Sequence, residues 1–246
     1  MKNIDLKSVI IGVTLILISG CSTEPEDVCG CGDNITDLDG NVYEIEQIGA
    51  QCWMAENLVV RHYLNGDEIP TGFSDSEWSN LENTGIGAYA VYDDDPANSI
   101  IYGNLYNWYA VDDARGVCPE GWHVPGDEEW MTLEMHLGMS ESEVNSSDWR
   151  GTDEGSKLAG NADLWISGVL ENNDVFGSSG FNALPNGDRY GDFGHYYYMG
   201  YYGYFWSSTA FSNSHAWIRS LHYDYSNIRR DSAEKQGGFS VRCVRD

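Results

Sequence analysis

Cys118-Pro119-Glu120-Gly121-Trp122-His123-Val124-Pro125-Gly126-Asp127-Glu128-Glu129-Trp130 is the stretch on which the fold turns. A helix follows His123-Val124-Pro125. Gly126 or Asp127 can cap it, and Asp127, Glu128 and Glu129 place negative charge where the helix dipole is positive. Trp130, Leu133 and Leu137 then recur at helical spacing, and Gly138 ends the run. An apolar stripe of this kind is core rather than a cofactor contact.

Upstream, Tyr102, Leu105, Tyr106 and Tyr109 fall at i, i+3, i+4 and i+7, which predicts a second core-facing helix over Tyr102 to Val111. Residues 61–100 read as loop, broken by Asn65-Gly66 and Asp94-Asp95-Pro96. Residues 31–60 read as a hairpin: Asp39-Gly40-Asn41 is a turn signal ahead of the alternating run Val42 to Ile48. Downstream, residues 139–203 are rich in Gly, Asn, Asp and Ser and read as long irregular loops, unusual in a compact domain unless functional. Within them, Asn182 to Asp188 reads as a turn. Strand patterns return over residues 204–245, in Phe205-Ser207-Thr209, in the alternation of Ala216 to Tyr223, and in that of Phe239 to Arg245. No internal repeat is visible. The fold class predicted is α+β: two helices packed on a twisted antiparallel sheet, with long irregular loops.

The N-terminus sets the compartment. Lys2 and Lys7 precede an apolar run from Ser8 to Ser19. That run is roughly 12 residues, where a span needs about 20, so it fits the core of a secretory signal. Leu17-Ile18-Ser19-Gly20-Cys21 resembles the lipobox of bacterial lipoproteins. The resemblance implies cleavage after residue 20, acylation of Cys21, and anchoring at an outer membrane, facing periplasm or cell surface. Residues 21–30 then form an acidic tether, Ser22-Thr23-Glu24-Pro25-Glu26-Asp27, which equally resembles a surface-export signal and a plain solvated linker. Residues 31–246 are left as one domain.

Net charge is −26. Without residues 1–20, 11 basic and 38 acidic residues remain, a net charge of −27. Such a surface repels phosphate backbones and argues against nucleic acid as partner. The 16 tyrosines, 9 tryptophans and 28 glycines favour short strands, turns and an aromatic-rich core over long helices. Beyond Cys21 there are five cysteines, Cys29, Cys31, Cys52, Cys118 and Cys243, which suits staples in an oxidising compartment and leaves one thiol over.

Five ordered motifs carry a resemblance. They are Asp37-Leu38-Asp39-Gly40-Asn41-Val42-Tyr43 with Ile48-Gly49-Ala50-Gln51-Cys52-Trp53-Met54-Ala55-Glu56-Asn57-Leu58, then Tyr102-Gly103-Asn104-Leu105-Tyr106-Asn107-Trp108-Tyr109-Ala110, Cys118 to Pro125, Trp206-Ser207-Ser208-Thr209, and Gly238 to Asp246. Together they resemble the Fibrobacter succinogenes major paralogous domain, over about residues 31–246. The resemblance implies a C-type lectin-like domain and a bridge between Cys118 and Cys243. Cys31 and Cys52, flanking the first hairpin, are the second expected pair, leaving Cys29 odd. It implies architecture more than activity.

The formylglycine-generating enzymes are similar around His123 to Trp130, but their reactive cysteine pair has no counterpart here, because no cysteine lies between Cys118 and Cys243. No Gly-x-Ser-x-Gly, His-Glu-x-x-His or phosphate loop is present. Carboxylates are so plentiful that any glycosidase-like pair proves little. The chain is therefore expected not to be an enzyme, with a glycosidase or a divergent formylglycine-generating-like protein as the third choice.

Two binding features remain. Asp93, Asp94, Asp95 and Asn98 group hard oxygens that suit Ca2+, although a helix-leading turn in an acidic protein is the preferred reading. Between Tyr190 and Trp206, aromatics alternate with glycines. Successive tyrosines cannot all point inward on a strand, so Tyr196, Tyr197, Tyr198, Tyr201 and Tyr202 are the expected ligand contacts, with loop packing weighed evenly against that role. The function expected is a surface binding or adhesion module for glycan or protein. The alternative is a structural envelope module that binds nothing small.

Overall fold

Asp37 shows how the N-terminal hairpin is built. Its carboxylate accepts the Asp39 and Asn41 amides at 3.0 and 2.9 Å and the buried Tyr43 hydroxyl at 2.6 Å, fixing the turn between two strands. These are β1 (Asn34–Thr36) and β2 (Val42–Ile48), and a tight turn through Gly49 leads to β3 (Gln51–Met54). The computed structural model describes residues 30–32 and 34–246. The signal segment, Cys21, the acidic tether and Cys29 lie outside the described residues.

Residues 61–100 hold more helix than the breakers suggested. Ser74 and Glu77 form a reciprocal capping box for α1 (Asp75–Ser79), which runs into α2 (Leu81–Thr84) and β4 (Tyr89–Ala90). Asp95 caps α3 (Pro96–Tyr102), accepting the Ala97 amide at 3.0 Å with Pro96 in the first turn.

The helix expected over Tyr102 to Val111 is corrected. Gly103 has φ of 81° and ends α3. Leu105 and Tyr106 form β5 against β4, and Asn107 caps a separate short helix, α4 (Trp108–Val111). The apolar period was real, because Leu105 and Tyr106 are buried, but sheet pairing took the residues that helical spacing claimed.

The helix after β6 (Trp122–His123) is present as α5 (Asp127–His136). Gly126 is its cap position, and the Glu129 carboxylate accepts the Gly126 amide at 2.7 Å. Asp127 is thereby free for another task. It is buried and accepts from Arg219 at 2.8 Å and Arg230 at 2.6 Å, while Glu134, one face along, accepts from Arg219 at 2.6 Å and Arg150 at 2.5 Å. This network ties α5 to three strands.

The segment 139–203 is also more ordered than expected. It contains α6 (Glu141–Val144), β7 (Asp148–Arg150), α7 (Glu154–Leu158), β8 (Asn186–Arg189) and β9 (Tyr196–Met199). Asn186 to Asp188 therefore lies in a buried strand, not a turn. The chain ends with β10 (Tyr202–Ala210), β11 (His215–His222), β12 (Tyr225–Glu234) and β13 (Val244–Arg245). Phe239 and Ser240 make only isolated bridges, so the final strand is shorter than its alternation suggests.

The strands form a five-stranded sheet, β1-β2-β3-β13-β6, a six-stranded sheet, β7-β12-β11-β10-β8-β9, and the β4-β5 pair. Pairing is antiparallel except where β8 meets β10. The mixed helix and sheet class is thus present. Neighbouring residues feed opposite cores: Trp206, Met54 and Val241 enter one, while Phe205, Trp53 and Val244 enter the other with Trp130 and Leu133 of α5. Disulfides join Cys31 to Cys52 and Cys118 to Cys243, the two pairings expected.

Candidate binding site

β9 is the edge strand of the six-stranded sheet, paired to β8 with Asp188 opposite Tyr197 and Arg189 opposite Tyr196. Strand alternation separates the expected tyrosines. Tyr196 turns onto the Arg189 side: its ring lies 4.9 Å from that guanidinium and 5.3 Å from the Tyr92 ring, and its hydroxyl donates to Asp94 at 2.7 Å. Burial and that carboxylate push the Tyr196 hydroxyl well above its usual value. Tyr196 is a packing residue rather than an open contact.

Tyr197 and Tyr198 are exposed, by 39% and 51%. Tyr198 adopts φ of 67°, and its carbonyl accepts the Tyr201 amide at 2.9 Å, so the chain turns there into β10. The turn brings Tyr198 within 5.3 Å of Tyr202 by ring centroid. Tyr201, also exposed, points aside and meets Tyr223 at 5.5 Å.

The exposed rings extend into a continuous row. Phe193 stacks on Tyr190 at 5.9 Å, Tyr190 meets Tyr197 at 6.1 Å, and Tyr197 meets Tyr198 at 5.8 Å. Beyond Tyr202 the row crosses to His222 at 4.3 Å, to Tyr225 at 5.2 Å and to Trp149 at 4.6 Å. Centroid spacings of this size are the favourable range for aromatic pairs, so the rings hold one another in place. Tyr204 and Phe239 continue the row inward to the core.

The row carries little charge. Burial raises Tyr202, burial and nearby carboxylates including Asp192 raise Tyr190, and burial pulls His222 below its usual value despite Asp224. These shifts all favour the uncharged forms of Tyr202, Tyr190 and His222. They offer flat apolar faces with hydroxyl rims.

Sequence reasoning singled out Tyr196, Tyr197, Tyr198, Tyr201 and Tyr202 through their clustering, and of these the row takes in Tyr197, Tyr198 and Tyr202. It missed Trp149, His222 and Tyr225 as members. Their only local signal is aromatic type, and β7, β11 and β12 bring them together from distant positions.

At the Tyr190 end lies a pocket of about 230 Å³ whose walls include Asp188, Tyr190, Glu234 and Phe239. Burial pushes the Asp188 carboxyl up to about 7. A larger pocket, about 680 Å³, lies elsewhere, against Val42, Val59, Ile100 and Asn104.

The calcium candidates lie close in sequence but do not form a ligand set. Asp95 caps α3, Asp94 accepts from Tyr196, and the Asn98 amide donates to the Tyr92 carbonyl at 2.9 Å. Among the described residues, no group of three or more His, Cys, Asp or Glu side chains is placed to hold a metal, and no helix is long and apolar enough to cross a membrane.

A family model described as the Fibrobacter succinogenes major domain matches residues 47–245. No curated protein and no solved structure matches the chain.

Proposed function

The chain belongs to the Fibrobacter succinogenes major domain family, and from that premise we propose that it is a non-enzymatic glycan-binding module of the cell envelope. In this reading residues 31–246 form a C-type lectin-like domain carried on a lipoprotein, acylated at Cys21 and anchored at the outer membrane. One observation carries the binding role: the row of aromatic rings, exposed from Phe193 through Tyr197 and Tyr198. Exposed aromatic surface is costly to leave in water unless something covers it. Tyrosine faces with hydroxyl rims suit sugar rings, whose apolar faces stack and whose hydroxyls hydrogen-bond.

A structural envelope role is the second reading. The observation favouring it is the rigid frame of two disulfides and a buried ion network.

The test is a glycan-array screen of the full chain with calcium and again with EDTA. Binding should survive EDTA, and Tyr198→Ala should weaken it about tenfold, the size of one good stacking contact. Binding lost in EDTA would move the site to the Asp93–Asp95 turn. No binding in either condition would leave the structural reading.

A further inference from the structure

Asp188 is a carboxylate with no partner of its own. It is only 4% exposed, and its Oδ1 makes no hydrogen bond. Its strand neighbour cannot help, because Arg189 faces the other side of β8, where its Nε donates to the Gly194 carbonyl and its Nη2 to the Phe73 carbonyl. Asp188 lines the 230 Å³ pocket, whose lining holds no Lys or Arg and one histidine, His215, which pairs with the Ser214 hydroxyl at 2.9 Å and not with Asp188. A buried carboxylate without a donor is unfavourable, so evolution of such a site makes sense where a cation arrives from outside.

The surroundings describe that cation. Glu234 lines the same pocket, its carboxyl raised by burial and by neighbouring Asp192, so the lining carries a second acidic group. Two aromatic residues, Tyr190 and Phe239, are in the lining, and aromatic rings attract organic cations. A metal ion would want several oxygens around one point, and no such group is gathered among the described residues. A protonated amine needs only one buried counter-charge and a ring to rest on. Burial raises the Asp188 carboxyl, and an ammonium placed beside it would favour the ionised form.

We propose that this pocket binds a protonated amino sugar, with its ammonium on Asp188 and its ring against Tyr190, where the aromatic row begins. The proposal rests on the glycan-binding reading above and deepens it by naming the sugar class. A sugar is favoured over a lysine side chain because Tyr190 is shared by the pocket and the row. Ring spacings of 5.3–6.1 Å from Tyr190 to Tyr202 then give the following sugar units a platform.

Calorimetric titration of the full chain near neutral pH tests it, with a glucosamine tetramer, its fully N-acetylated counterpart, free glucosamine and Nα-acetyl-lysine amide, whose side-chain ammonium is free, as probes. The amine tetramer should bind at least tenfold more tightly than the acetylated one, and Asp188→Asn should bring the two to parity. Equal binding of the two tetramers by the unaltered chain would overturn the proposal, and that contrast needs no variant to fold. A preference unchanged in Asp188→Asn would also overturn it. So would lysine amide binding as tightly as glucosamine, which would point to a protein ligand. Free glucosamine binding that needs Asp188 but ignores Tyr198→Ala would keep the pocket and sink the row. Tetramer binding that needs Tyr198 but ignores acetylation would do the reverse.

Discussion

Asp188 links a single residue to the pH dependence of the whole fold. An aspartate titrates near 3.8 in an unfolded chain, and burial raises this one to about 7. Between those values the folded state holds the extra proton. The carboxyl therefore favours folding fully below about pH 4, and that contribution is lost as pH rises through 7. Asp188→Asn keeps the shape and removes the titration. At pH 8 it should be more stable than the unaltered chain by about 2–4 kcal/mol, with the difference vanishing near pH 4. Urea unfolding at the two pH values checks this, and a difference independent of pH would refute it. Asp127 runs in the opposite sense. Burial works against its charge, but Arg230 and Arg219 hold its pKa low, so its contribution is present above the unfolded value and lost on acidification. Arg242 is a third buried charge, donating to Asn57 at 2.7 Å, to the Met54 and Asn182 carbonyls at 3.0 and 2.8 Å, and to the Phe181 carbonyl. Its fork geometry answers several acceptors that a lysine could not reach together.

Helix α7 shows packing overruling propensity at the scale of elements. Gly155 lies in the first turn of α7, where helix propensity alone favours alanine by up to about 1 kcal/mol. A Cβ there would stand 2.2 Å from the Asn227 carbonyl oxygen of β12, which is backbone and cannot swing aside. The clash outweighs the propensity gain, so Gly155→Ala should destabilise by about 1–3 kcal/mol. Thermal melting checks it, and an unchanged or raised midpoint would mean that α7 does not dock this closely. Element existence was legible where local signals agreed. The Pro125 stop, acidic first turn and Trp130-Leu133 spacing marked α5 correctly, and alternation marked β2, β11 and part of β10. It failed for Tyr102 to Val111, where Gly103 and the Asn107 cap cut the run and β4 recruited Leu105 and Tyr106. It failed again for residues 139–203, whose strands are too short for a period and exist because β12 and β10 offer them an edge.

Two staples act on the whole molecule. The Cys118–Cys243 bridge closes 125 residues and the Cys31–Cys52 bridge closes 21. The chain-entropy model assigns them about 5 and about 3 kcal/mol respectively. Cys118→Ser with Cys243→Ser should therefore lower the urea midpoint more than Cys31→Ser with Cys52→Ser, and the reverse order would show that native-state packing, not loop closure, governs. The Cys118–Cys243 pairing followed from the family resemblance and the Cys31–Cys52 pairing from their place on either side of the first hairpin; the family itself was legible because its motifs lie in short contiguous stretches. The sequence alone also determined the mixed helix and sheet class, the strong negative charge, and the clustering of tyrosines before β10. Tertiary structure decided which of those tyrosines face water, that Trp149, His222 and Tyr225 complete the row, and that Asp188 is buried beside a pocket. The physical reason is range. Capping, periodicity and turn chemistry act over a few residues and are written locally, whereas strand partnership, register and burial depend on segments a hundred residues apart meeting across a sheet.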